Sequence, residues 1–186
     1  VILSAFITVI GASAYIKDTL AGKTKPNRIS WSMWAFAPLV GAAAAISAQA
    51  DIWTTIRIFL AGFLPLLVLI ASFANQKSYW KLTFFDLLCG FCSILALGVW
   101  IFVDSPKSAI LLAAVADGFA SLPTIYKAWK YPETETGFTY IMIFLGVLLI
   151  IPSIPRLDID ISAFQMYLLI GNGILLFVIY RKRLGF

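Results

Sequence analysis

The chain predicts an all-α integral membrane protein of seven transmembrane helices, and three observations predict it. Of 186 residues, 61% are hydrophobic and only 12% are charged, whereas an ordinary soluble domain is roughly 45–50% apolar. The mean hydropathy is +0.94. The apolar residues fall in runs close to the ~20 residues that a helix needs to cross a bilayer, and the charges fall between the runs. Seven such helices use roughly 140 residues, which leaves no room for a sizeable aqueous domain.

Breaking the apolar runs at their charges gives spans 1–20, 29–48, 52–74, 80–103, 107–129, 137–154 and 161–180. The first run has no basic leader and no small-residue cleavage pattern, and it ends in Tyr15-Ile16-Lys17-Asp18. It therefore reads as a retained helix rather than a signal peptide.

The connections alternate in charge. Lys17, Lys23, Lys25 and Arg28 follow the first span, Lys77 and Lys81 the third, Lys127 and Lys130 the fifth, and Arg181, Lys182 and Arg183 the seventh. Eleven of the 14 basic residues thus share one side, while Arg57, Lys107 and Arg156 sit on the other among Asp51, Asp104, Asp158 and Asp160. Basic loops stay cytoplasmic, so the expected topology has an outside N-terminus and a cytoplasmic C-terminus, in keeping with a bacterial inner membrane. Trp31, Trp34, Tyr79, Trp80, Trp129 and Tyr131 fall near the inner interface and Trp53 and Trp100 near the outer, as an aromatic belt requires.

Several chemistries are poor fits. The chain has no histidine, the commonest metal ligand and physiological-pH acid/base, so zinc, haem and Ser-His-Asp chemistry are not expected, nor is any cofactor. Cys89-Gly90-Phe91-Cys92 has redox spacing, but no basic neighbour is present to activate a thiolate. The net charge of +5 is scattered between apolar spans rather than gathered on a solvated face, so nucleic acid is not an expected partner. An enzyme is not expected either.

Laid on itself, the chain shows a repeat. Asp51-Ile52 followed by Gly62 recurs as Asp160-Ile161 followed by Gly171, an offset of 109 residues. At that offset Ser30-Trp31 meets Thr139-Tyr140, and one residue further out Lys17 meets Lys127 and Thr24 meets Thr134. An offset of four helix-plus-loop elements matches spans one, two and three to five, six and seven in the same direction. The expected organisation is two parallel triple-helix bundles, 1–76 and 105–186, joined by a linker helix within 77–104.

This plan resembles the SWEET and PQ-loop transporter architecture. The local resemblance is strongest at Ser121-Leu122-Pro123-Thr124-Ile125-Tyr126-Lys127-Ala128-Trp129-Lys130 with Glu133-Thr134-Glu135-Thr136-Gly137-Phe138, where a helix proline precedes a basic helix end and a short polar loop. The plan is similar to vitamin transporters of the nicotinamide-riboside type and to the KDEL receptor as well. The resemblance implies that Pro123 and Pro38 stand for proline hinges that gate transport. It also implies that Asn172, in Gly171-Asn172-Gly173, stands for a substrate-contacting asparagine.

Individual residues carry their own arguments. Asp117 lies ten residues inside Lys107, about 15 Å along a helix, which is close to the bilayer midplane. Insertion of an aspartate there costs roughly 2.5–3.5 kcal/mol, so it should face a cavity, be paired or be protonated. It is the leading candidate for substrate contact or proton coupling, the alternative being a packing hydrogen bond between helices. Gln165 and Asn172 are seven residues apart and share a helical face, either as a pathway stripe or as interhelical glue. Trp34 shares a face with Trp31 and Pro38 and could stack on a flat solute or anchor at the interface. Ser121 lies one turn from Asp117 and completes the substrate-binding set. Asp86 and Arg57, each close to a span end, read as snorkelling or salt-bridged interfacial groups.

The expected function is transport of a small polar solute, a sugar or sugar-like riboside, by alternating access, with Asp117 available for proton coupling. The alternative is a non-transporting receptor or assembly protein on the same scaffold. The expected partners are the solute and the lipid bilayer; homo-oligomerisation is left open.

Overall fold

The computed structural model describes residues 2–47, 49–102, 106–153 and 159–185. Every regular element among them is helical. The helices are α1 (Ile2–Leu20), α2 (Arg28–Ser47), α3 (Ile52–Ala74), α4 (Phe84–Ile101), α5 (Pro106–Lys130), α6 (Gly137–Ile150) and α7 (Ile159–Tyr180). Five of them, α1, α2, α3, α5 and α7, are long and apolar enough to cross a membrane, and α4 and α6 are shorter apolar helices. Their outward faces carry Phe36, Ile70, Phe73, Phe84, Phe91 and Ile94, all exposed. Such a surface suits hydrocarbon rather than water.

The helix boundaries follow local chemistry. After α1 the chain turns at Gly22, whose φ of 75° favours a residue without Cβ. Asn27 caps α2, its Oδ1 accepting from the backbone N–H groups of Ile29 (3.1 Å) and Ser30 (3.3 Å). The fourth helix begins later than the expected span 80–103 because Thr83 and Asp86 form a capping box. The Thr83 N–H donates to Asp86 Oδ2 at 2.6 Å, and the Asp86 N–H donates to Thr83 Oγ1 at 3.3 Å. The sixth stops at Ile150, and a 3₁₀ turn at Ile151–Ser153 carries Pro152, so the helix is shorter than 137–154.

Asp86 corrects an expectation. It does not snorkel and makes no ion pair among the described residues: it is buried, and its second carboxylate oxygen accepts from Asn27 Nδ2 at 3.0 Å. The capping geometry turns it inward. Trp31 also departs from the aromatic belt. It is only 3% exposed and packs on Tyr15, with ring centroids 4.6 Å apart. By contrast Tyr79, Trp129, Tyr131 and Trp53 are exposed. Asp104, Arg156 and Asp158, and the side chains of Trp100, Lys107, Asp160 and Ile161, lie outside the described residues.

In the packing, α3 contacts both α1 and α2, while α7 contacts both α5 and α6. Across the molecule α1 packs on α6, α2 packs on α5, and α4 lies against α5 and α2. Leaving α4 aside, exchanging α1, α2 and α3 for α5, α6 and α7 leaves this pattern of neighbours unchanged; α4 breaks it by packing on α5 and α2. The repeat mates Gly62 and Gly171 nevertheless differ. A Cβ on Gly62 would meet the Ala35 carbonyl oxygen at 2.8 Å and the Leu39 nitrogen at 2.9 Å, whereas one on Gly171 would meet nothing nearer than Tyr167 at 4.0 Å. Close backbone approach is thus required at Gly62, where α2 meets α3, and not at its mate Gly171.

The basic connections gather at one end. Lys25 N–H donates to the Thr134 carbonyl at 3.0 Å, Asn75 Nδ2 donates to the Leu20 carbonyl at 2.8 Å, and Arg181 donates to the Trp129 carbonyl. These bonds join the ends of α1, α3, α5 and α7 directly, so the eleven basic residues read from the sequence share one end.

Candidate functional site

A cavity of about 540 Å³ runs between the helices, with walls from α1 to α7. Trp31 and Tyr140, repeat mates at the starts of α2 and α6, line it toward the basic end. Tyr15 is wedged behind them, fully buried, edge-on to Tyr140 with centroids 6.3 Å apart. Away from the basic end the lining extends to Gly41, Arg57, Ile110 and Ile150. Much of the wall is alanine and leucine, so each polar group in it is conspicuous.

Asp117 lines this cavity, eleven residues from the start of α5, about 16 Å along the helix. Tyr167 of α7 donates its hydroxyl to Asp117 Oδ2 at 2.7 Å. Ser121 Oγ donates to the Asp117 backbone carbonyl at 2.9 Å and lies 3.3 Å from the Tyr167 hydroxyl. The result is a carboxylate and two hydroxyls held together at mid-helix depth. Tyr167 binds Oδ2 alone, so Oδ1 keeps acceptor capacity in the cavity wall.

Most of the sequence candidates meet here. Asp117, Ser121, Gln165, Asn172, Trp34 and Pro38 all line the cavity. Asn172 is buried and donates through Nδ2 to the Leu168 carbonyl one turn earlier at 2.8 Å, which leaves its side-chain oxygen as an acceptor. Trp34 stands edge-on to Trp31 with centroids 5.2 Å apart. Pro123 does not join them: it is fully buried on a different face of α5. Arg57 lines the cavity on the side away from the basic end and makes no ion pair among the described residues. Cys89 and Cys92 are free thiols, the first buried.

Two features escaped sequence reasoning. Tyr167 is two residues from Gln165, off the narrow stripe that Gln165 and Asn172 define. The face of α7 lining the cavity runs through Phe164, Gln165, Tyr167, Leu168, Gly171, Asn172 and Leu175, broad enough to include both Gln165 and the edge that meets α5. The second feature closes the basic end. Lys127 Nζ lies 2.5 Å from Glu135 Oε1, and both side chains are buried. Glu135 Oε2 accepts from the Tyr15 hydroxyl at 2.6 Å and the Tyr140 hydroxyl at 2.9 Å, and Lys127 donates to the Lys25 carbonyl. Beside them Thr136 Oγ1 lies 2.7 Å from Thr24 Oγ1 and donates to Asp18 Oδ2 at 2.9 Å. The signal in sequence was a lysine in the last turn of a helix and an acid in the next loop, a pattern that surface groups share.

Among the described residues no group of acidic or sulfur side chains is arranged to hold a metal ion. No protein-family model matches the chain, and no curated protein or solved structure matches it significantly.

Proposed function

We propose that this chain is a membrane transporter that moves a small polar solute, a sugar or sugar-like riboside, through the central cavity by alternating access. The observation that carries the reading is the cavity with its one clustered carboxylate: Asp117, held by Tyr167 and flanked by Ser121, in an otherwise largely apolar wall. An intramembrane carboxylate facing a cavity marks a solute or proton pathway by default, because insertion of an unused one is costly. Asn172 and Gln165 add polar contacts from α7, and Asp117 is the group through which protons would couple to the solute.

In this reading all seven helices span the bilayer as two parallel triple bundles, α1 to α3 and α5 to α7, with α4 as the linker, as in the SWEET and PQ-loop plan. The symmetric pattern of helix neighbours supports it. The basic end faces the cytoplasm of a bacterial inner membrane, by the positive-inside rule.

The test is thermal stability of the detergent-purified protein against sugars, ribosides, vitamins and amino acids, for the parent and Asp117→Asn. A ligand that binds only the folded state raises Tm by mass action. At least one neutral polar solute should raise the parent's Tm, with about tenfold weaker binding in Asp117→Asn and little change in that variant's unliganded Tm. A flat panel with Asp117→Asn merely less stable makes Asp117 a packing residue and favours the receptor or assembly reading.

A further inference from the structure

We propose that the polar cluster at the basic end is the gate of the cavity, closed in this structure, and that Lys127 and Glu135 form its releasable clasp. The inference rests on the transporter reading above and assigns it moving parts. Trp31 and Tyr140 form the cavity's limit on this side, and behind them Tyr15 is fully buried. What holds Tyr15 and Tyr140 in place is Glu135, which accepts from both hydroxyls through one carboxylate oxygen, at 2.6 Å and 2.9 Å. Its other oxygen lies 2.5 Å from Lys127, and Lys127 reaches the Lys25 carbonyl in the connection between α1 and α2. Both charges belong to the second repeat; of what they grip, Tyr15 and the Lys25 carbonyl belong to the first and Tyr140 to the second.

Physical chemistry favours a clasp over a permanent seal. A buried ion pair is poor glue, because desolvation consumes much of the Coulomb gain, and its best-attested use is as a switch or register device. Opened to water, both charges regain hydration, which offsets much of the Coulomb energy lost. An apolar plug has no such compensation, since opening it only exposes hydrocarbon. The repeat gives no counterpart in the other half. Lys17, the mate of Lys127 at an offset of 110, is exposed, and the same offset sets Lys25, a base rather than an acid, against Glu135. Pro123 stands four residues before Lys127 and removes the α5 backbone bond to the carbonyl of residue 119. The α5 backbone thus lacks one bond between Asp117 and Lys127, a point at which the end of the helix that carries Lys127 can bend.

The test reads access to the cavity from each side. Ala37 lines the cavity and is partly exposed there, so Ala37→Cys, in a background of Cys89→Ala and Cys92→Ala, reports on entry of a membrane-impermeant thiol reagent in vesicles of each orientation. With the clasp intact, labelling should come from the side away from the basic end. Glu135→Gln should raise labelling from the basic side about tenfold and lower it from the other side, the reciprocal change of a population shift. Tyr15→Phe, which removes one cross-repeat bond and keeps the ring, should give a smaller reciprocal change and decides the matter if Glu135→Gln does not fold. Equal rises from both sides, or no change in either, would overturn the gate. Solute-dependent Tm shifts are measured without reference to access, so failure of the gate is distinguishable from failure of the transporter reading.

Discussion

The two contacts between the repeats, α1 on α6 and α2 on α5, are equivalent by sequence and opposite in character. Where α1 meets α6, Ser4 donates to the Gly146 carbonyl at 2.9 Å and Thr139 donates to the Gly11 carbonyl at 2.8 Å. A Cβ on Gly11 would lie 2.7 Å from Met142 Cβ, and one on Gly146 would lie 3.1 Å from Thr8 Oγ1. Small residues and side-chain-to-backbone bonds are how membrane helices associate where no hydrophobic drive exists between them. Where α2 meets α5, no hydrogen bond joins the two among the described residues, and Trp34, Pro38, Gly41, Ala113, Asp117 and Ala120 face the cavity instead. A Cβ on Gly41 would meet Ile58 at an ordinary 3.6 Å. The difference teaches that two contacts alike in their place in the fold can be used differently, one for cohesion and the other to enclose a cavity.

Three substitutions would break or sharpen this contrast. The largest effect is expected on the closed side, at the basic end. Lys127→Met leaves Glu135 buried without its cation, and should cost about 3–5 kcal/mol, as loss of one partner of a buried pair does. Reversible unfolding in detergent or bicelles measures it, and Lys127→Met with Glu135→Gln should recover most of the loss. Gly11→Ala comes next. It forces Met142 aside at the tight contact and should cost about 1–3 kcal/mol, the usual range for overpacking. A neutral result would mean that α1 and α6 are less tightly joined than their hydrogen bonds indicate. Smallest is Gly41→Ala on the cavity side, where space is available. Its stability should change by less than about 0.5 kcal/mol, as surface-like substitutions do, and a loss comparable to that of Gly11→Ala would erase the contrast.

Much of the architecture was legible in the chain. Apolar runs cut by charge gave the order of the helices, because a bilayer dictates both the length and the polarity of what crosses it. Asp117 stood out for the same reason: an acid in the middle of an apolar helix needs a partner or a cavity, and it has both. The helix ends were read less well. Thr83 and Asp86 start α4 later than hydropathy alone suggests, since capping is a matter of hydrogen-bond geometry that an apolar count does not register. Trp31 was read as an interfacial anchor because position along the chain gives depth, not the direction a ring faces.

The sequence by itself determined a helical chain of membrane-spanning length and polarity, with most of its basic residues in alternate connections and matching residues about 109 positions apart, because those properties depend on composition and spacing alone. Only the tertiary structure decided that Tyr167 binds Asp117, that Lys127 and Glu135 are buried together, and that one of two equivalent contacts is tight while the other encloses the cavity. Each depends on which residues from distant segments meet. A lysine at a helix end is the same letter whether it reaches water or a buried carboxylate, and a glycine is the same letter whether a neighbouring helix lies 2.7 Å from its missing Cβ, as at Gly11, or nothing lies within 3.9 Å, as at Gly118.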